Sequence, residues 1–280
     1  MNTLPRFFAL LLAAALIGPA CSTTPDPAEK DAMERERLAR EVDDELLVGR
    51  EIASRLLGRF QHYEKNRAAI EYVNLVGATL AAQNGRPELR YRFAILDSDD
   101  PNAFACPGGF IFVTKGLLKL VKNESELAGV LGHEIAHVNE KHMYSTIVPK
   151  REVSTSETFV RLLSRGKSEI GSNLAQIVDN GMKMLMESGY GKEKEHASDQ
   201  AAALYTKSSG YDPMALLPVL ERLKEASKSS KLSKTHPPFD ERTASFQAFL
   251  KENDLKSTLS ASRQQVMEAR FLAVLKKEAL

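Results

Sequence analysis

Leu131-Gly132-His133-Glu134-Ile135-Ala136-His137 sets two imidazoles four positions apart. On a helix that spacing puts both rings on one face, one turn apart, close enough to share a metal ion. Glu134, next to the first, can reach the open side of such an ion. The His-Glu-x-x-His order therefore pairs two zinc ligands, His133 and His137, with a carboxylate placed to take a proton from water. Asn123 reads as the N-cap of this helix, with Glu126 completing a capping box, so the start of the helix and the face that carries the histidines are both set. Leu127, Val130 and Leu131 bury one side. Gly129 and Gly132 each cost about 1 kcal/mol against Ala in a helix interior, so a close neighbour is expected there.

A catalytic zinc takes three protein ligands and keeps one position open, so a third ligand is required. His142, His196, His236 and the acidic residues are the candidates. His142 lies five positions after His137, off the shared face, and reads as an ordinary polar residue. Glu193-Lys194-Glu195-His196-Ala197-Ser198-Asp199 falls on a helix that runs on through Tyr205 and ends at Gly210. Glu195 and Asp199 share a face of it. One carboxylate can bind metal while the other accepts the free N–H of a ligating imidazole.

Outward from these two helices the chain is of ordinary globular composition, 43% hydrophobic and 27% charged over 280 residues, enough for one large or two modest domains. Lys and Arg (38) balance Asp and Glu (37) to a net charge of +1, so no overall field draws the chain to nucleic acid. Arg6 followed by the apolar run Phe7 to Ile17 has the length of a secretory h-region. Ala20-Cys21-Ser22 at its end resembles a bacterial lipobox, with Cys21 the lipidated residue and Ser22 suiting outer-membrane sorting; a plain signal peptide or an uncleaved anchor is the alternative. Residues 1–20 are thus expected as a lipoprotein signal peptide and 21–30 as a polar tether. Cys106 is the second of two cysteines, so stability is expected to rest on the core and the metal.

Helical periodicity covers about Asp31 to Arg59, Arg67 to Gln83, Gly116 to Val121, Ile170 to Met186, 213–225 and the tail from about Leu259. Alternation from Leu89 to Leu96 predicts a strand, and Phe110-Ile111-Phe112-Val113-Thr114 after Pro107-Gly108-Gly109 predicts a second. Pro107 lacks an amide hydrogen, which points to a sheet edge at Phe110, Ile111, Phe112 and Val113, where an extended peptide can pair; an ordinary supporting hairpin is the other reading.

Asn102-Ala103-Phe104-Ala105, Pro107-Gly108-Gly109, His133 to His137, Glu195 to Asp199, Gly210-Tyr211-Asp212-Pro213 and Thr235-His236-Pro237-Pro238 occur in the order seen in the HtpX-like gluzincin metallopeptidases. The chain resembles their soluble, exported BepA- and LoiP-like branch over about residues 40 to 250. The resemblance implies one Zn2+ held by His133, His137 and Glu195, with Glu134 as general base and Asp199 behind a ligand. It also implies a catalytic role for His236 and Arg242, six positions apart, with His236 either a fourth metal ligand in a resting state or a donor to the oxyanion. Taken alone, Thr-His-Pro-Pro is a rigid loop. Ser198 stands where the family usually has Ala, and neither the membrane helices of the HtpX type nor a tetratricopeptide pattern is present.

The expected fold is α+β and mostly helical, of zincin type: a central HExxH helix, a small sheet with an exposed edge strand, and surrounding helices, with residues 31–255 as the peptidase domain and 256–280 as a C-terminal helix. The expected function is zinc-dependent endopeptidase action on unfolded or misassembled outer-membrane proteins, from the periplasmic face of the outer membrane of a Gram-negative cell. A lipid anchor and the envelope assembly machinery are the expected partners, and nucleic acid is not. The alternative is a chaperone-like binder of misfolded envelope proteins with a closed, structural zinc.

Overall fold

The computed structural model describes residues 26–148, 169–227 and 235–275. The signal segment, Cys21 and the first part of the tether lie outside them. Helix α1 (Pro27–Phe60) starts inside the stretch that composition assigns to the tether, because Asp26 and Glu29 form a capping box and Pro27 occupies the first turn. Its N-terminal part is exposed and its C-terminal part buries Val48, Ile52 and Leu56. Gly49 in that part is a contact point: a Cβ there would meet the Pro107 carbonyl oxygen at 1.9 Å.

Helix α2 (Arg67–Asn84) follows, then strands β1 (Arg92–Leu96), β2 (Ala103–Cys106) and β3 (Phe110–Thr114). The sheet order is β1-β3-β2, with β1 parallel and β2 antiparallel to β3. The edge assigned to Phe110, Ile111, Phe112 and Val113 is therefore corrected: β3 is the central strand. Pro107 does not enter the ladder at all. It opens a 3-10 turn, Pro107–Gly109, in which Gly108 takes φ 73°, so its missing amide costs the ladder no hydrogen bond. The edge beside the zinc-type helix is β2.

Helix α3 (Lys115–Leu120) leads into α4 (Glu124–Asn139), which carries the histidines. Every residue from Glu124 to Val138 is buried, so α4 is a central helix enclosed on all sides and not a one-faced one. Asn123 caps it as expected, accepting from the Glu126 amide at 3.0 Å. The return arm of the capping box differs: Glu126 Oε2 accepts from the Lys122 amide at 2.7 Å and pairs with Arg222.

Around α4 lie α5 (Tyr144–Ile147), α6 (Glu169–Lys183), α7 (Lys192–Ser208), α8 (Leu216–Ser227), α9 (Phe239–Glu252) and α10 (Ala261–Val274). A π-helical turn, Met184–Ser188, ends α6 and puts Met184 and Leu185 into the core with Ile52 and Phe104. The C-terminal helix docks on the same body. Met267 and Phe271 join the cluster that contains Leu127 and Leu131, the Phe271 ring meets Tyr72 edge-on at 6.4 Å, and Arg270 Nε donates to Glu124 Oε2 at 2.6 Å. The structure is mostly helical with one small sheet, as expected, and no described helix is long and apolar enough to cross a membrane.

Candidate metal centre and active site

Three helices meet at one point. α4 supplies His133, Glu134 and His137, α7 supplies Glu195 and Asp199, and α9 supplies Arg242. The approach of α4 to its neighbours explains one of its two glycines. A Cβ on Gly129 would sit 3.3 Å from the Leu216 amide nitrogen, too tight without a shift, while one on Gly132 would make ordinary contact with Ala202 Cα at 3.5 Å.

Among the described residues, one group of metal-ligating side chains converges: His133, His137 and Glu195, with a ligand atom from each within 4.8 Å of the others and all three buried. The His133 and His137 Nε2 atoms face each other at 3.0 Å. Glu195 brings Oε2 to 3.7 Å from His133 Nε2 and Oε1 to 3.5 Å from His137 Nε2. Neither Glu195 oxygen accepts a hydrogen bond. Arg242 Nη1 at 3.0 Å from Oε2 is its one charged partner, and Oε1 faces only the His137 ring, so lone pairs on a buried carboxylate and on two imidazoles are left turned to one point where a shared cation fits. The donor set fits zinc: two imidazoles and one carboxylate, with no fourth residue in the group.

Each other ring nitrogen is also engaged. His133 Nδ1 lies 2.9 Å from Asp199 Oδ1, as the four-residue spacing on α7 predicts. Asp199 in turn receives a fork from Arg242, Nε to Oδ2 at 2.9 Å and Nη2 to Oδ1 at 2.6 Å, while Arg242 Nη1 stands 3.0 Å from Glu195 Oε2. Arg242 thus holds both carboxylates in place. Burial alone would raise the pKa of Glu195, but the Arg242 charge, then that of His236, holds it well below the usual carboxylate range. The same contest, won again by Arg242, lowers Asp199.

His137 is kept as a neutral imidazole, pushed down to about 3 chiefly by burial. For His133, burial works against charging, and the hydrogen bond to Asp199 more than offsets it, raising its pKa. Glu134 is buried beside the group, and desolvation pushes its carboxyl up to about 7. A carboxylate of that basicity suits a group that must take up a proton near neutrality.

A cavity of about 40 Å³ opens beside His133 and Glu134, walled by Asn102 and Ala103 from the start of β2, by Leu216 and Leu220 of α8, and by His236 and Arg242. His236 is brought to the cavity and not into the ligand group; its Nδ1 lies 3.0 Å from Thr235 Oγ1 and its ring stacks on Phe239 at 6.0 Å. His196 also places no nitrogen in the group.

Two residues at the site escape the sequence reading. His142, taken as an ordinary polar residue, is buried with its Nδ1 2.8 Å from His137 Nδ1. The correction has a local cause: α4 ends at Asn139, and the chain turns back through Lys141 at φ 51°, so helical spacing no longer describes where residue 142 points. Tyr190 stacks on the His137 ring, with centroids 4.0 Å apart, and its hydroxyl donates to the Ala105 carbonyl at 2.7 Å. The only signal for it was its place between Gly189 and Gly191, both at positive φ.

Comparison with known proteins agrees with this geometry. The chain is 28% identical over 211 residues to the beta-barrel assembly-enhancing protease of Yersinia pestis, covering 72% of this chain and 42% of that protein. It is 28% identical over 193 residues to the mitochondrial metalloendopeptidase OMA1 of Schizosaccharomyces pombe, 68% of this chain and 55% of that one. It is 26% identical over 190 residues to a protease HtpX homolog of Salinibacter ruber, 55% and 66% of the two chains. The chain thus spans roughly two fifths to two thirds of the length of these relatives. The pattern of peptidase family M48 matches residues 68–249, a stretch that holds the convergent histidines and carboxylates, and the chain belongs to that family.

Proposed function

We propose that this chain is a zinc-dependent endopeptidase of the bacterial envelope, acting on unfolded or misassembled outer-membrane proteins. The observation that carries the chemistry is the pairing of three converging buried ligand atoms with Glu134, a carboxylate of raised pKa at the mouth of a cavity. His133, His137 and Glu195 would hold a divalent cation, whose chemistry there would be to acidify the attacking water and polarise the scissile carbonyl. Glu134 takes the proton of the attacking water on its carboxylate and passes it to the leaving amine. Arg242 and Asp199 keep the ligand carboxylate and His133 in place through the cycle.

The substrate backbone lies along β2. The Ala105 carbonyl on the outer edge of that strand is capped by the Tyr190 hydroxyl, and the Ala103 amide is capped by the Asn102 side chain at 2.9 Å. An incoming extended peptide exchanges such single side-chain bonds for a strand ladder next to Glu134. That His236 stands outside the ligand group supports an open, catalytic site over the closed, structural zinc of a chaperone-like binder. The name of the Yersinia pestis relative supports the substrate class, and the Ala20-Cys21-Ser22 stretch supports a lipid anchor at the periplasmic face of the outer membrane, where assembly machinery is within reach.

The test is cleavage of an unfolded protein such as reduced casein by the zinc-loaded chain. Hydrolysis that a chelator abolishes and zinc restores supports the reading. Binding of the unfolded protein without hydrolysis, at one zinc per chain, favours the binder instead.

A further inference from the structure

We infer that His142 is the positioning residue of His137: its Nδ1 accepts the Nδ1 hydrogen of His137 and so aims the His137 Nε2 lone pair at the ligand group. The inference rests on the reading above in that His133, His137 and Glu195 hold a cation.

An imidazole that binds metal through Nε2 carries its single hydrogen on Nδ1, and whatever accepts that hydrogen fixes both tautomer and ring rotation. For His133 the neighbouring atom is Asp199 Oδ1, at 2.9 Å. For His137 the neighbouring atom is His142 Nδ1, at 2.8 Å. His142 can accept there only as the neutral ring with its hydrogen on Nε2.

The local fold is built to hold this contact. After the turn at Lys141 the His142 amide returns to the His137 carbonyl at 3.0 Å, so main chain and side chain of one residue both close on His137. The His142 carbonyl is clamped by Lys194 Nζ at 3.0 Å and Thr146 Oγ1 at 2.8 Å, and Lys194 Nζ reaches Thr146 Oγ1 at 2.6 Å. Tyr190, stacked within 22° of the His137 ring plane, restricts tilt, and His142 restricts rotation within the plane.

The two ligating histidines are therefore backed by different chemistry. His133 leans on a carboxylate that Arg242 brackets, His137 on a neutral ring. Glu195, Asp199 and Arg242 together carry one negative charge; a carboxylate at position 142 would double it, whereas a neutral acceptor orients His137 without adding charge beneath Glu134.

The experiment compares zinc affinity, by competition with a chromophoric chelator, and the visible spectrum of the cobalt-substituted protein in wild type, His142→Leu, His142→Ala and His142→Asn. Leu and Ala remove the acceptor; Asn retains one in its Oδ1. The expected result is a zinc Kd raised about 10- to 100-fold in the Leu and Ala variants, with altered cobalt bands. The Asn variant is expected to recover most of the affinity and the wild-type bands. Wild-type affinity and superimposable cobalt spectra in the Leu and Ala variants would overturn the inference. So would loss of the wild-type far-UV circular dichroism by both metal-free proteins, which would assign His142 to the core instead. A His137→Ala variant measured beside them that binds zinc as tightly as wild type fails the peptidase reading itself, and that outcome is separable from a His142→Leu variant that binds as tightly as wild type.

Discussion

Glu45 and Glu195 are both cut off from solvent, at 0% and 1% exposure, and the protein treats them in opposite ways. Glu45, on α1, accepts from Arg86 Nη1 through both oxygens, at 2.9 and 2.8 Å, and from the Gly108 amide at 2.9 Å. It ties α1 to the turn before β3. Glu195, on α7, has Arg242 Nη1 at 3.0 Å from Oε2 but no well-aligned hydrogen bond to either oxygen, and it faces two imidazole nitrogens. Equal burial thus says little about role. What separates a structural carboxylate from a ligand is whether its lone pairs are already occupied.

The largest expected effect lies on the site side of this contrast. Glu134→Gln removes the proton acceptor and leaves the ligand set intact, so turnover falls by about 10²- to 10⁴-fold while zinc content stays near that of wild type. Parallel metal analysis and steady-state proteolysis check it. Next, Glu195→Gln weakens zinc binding by about 100-fold or more, a loss beyond that of an outer partner. The metal-free protein loses the Arg242 pairing at Glu195, but Arg242 keeps its fork on Asp199, so the thermal stability changes by less than that of Glu45→Gln. A large drop in the melting temperature of that metal-free variant would erase the distinction drawn between the two carboxylates.

Glu45→Gln gives the mirror image. It strands the Arg86 guanidinium, which keeps only Glu88 as an ionic partner, and lowers unfolding free energy by about 3 kcal/mol, with zinc binding unchanged. Denaturant melts with and without zinc read this directly. The smallest effect is at Asp44, next door on α1, whose carboxyl is pushed up to about 6 by burial, then by Asp43 and Glu41. A folded-state pKa above the unfolded one gives stability that is full below the ordinary carboxylate range and is lost as pH rises through about 6. Asp44→Asn accordingly flattens that decline and raises the melting temperature at pH 7 by about a degree or two, as a pH series of thermal melts would show.

The contrast also marks what residues alone disclose. Spacing sufficed where an element is regular: His133 and His137 share a face because α4 is a helix, and Asp199 backs His133 because α7 is one. It failed where the chain turns. His142 reaches His137 through a positive φ at Lys141, which no periodicity describes. β-Branched and aromatic residues announced β3 but could not give strand order, since that composition does not tell a parallel partner, β1, from an antiparallel one, β2. Docking of α10 depends on Phe271 meeting Tyr72 and Arg270 meeting Glu124, contacts across nearly 200 or more than 140 residues of chain that a local reading does not contain. Arg242 came from family resemblance, and its place on Asp199 and Glu195 required three helices to be assembled first.

Glu195, turned with Oε1 and Oε2 towards two imidazoles, marks a zinc site, whereas Glu45, with both oxygens filled by hydrogen bonds, does not. Zinc content of the purified chain, measured by atomic emission beside the His133→Ala/His137→Ala and Glu45→Gln variants, tests it most directly. Close to one zinc per chain is expected in wild type and Glu45→Gln, and almost none in the double histidine variant. Full zinc content in the double variant, or none in wild type, would contradict it.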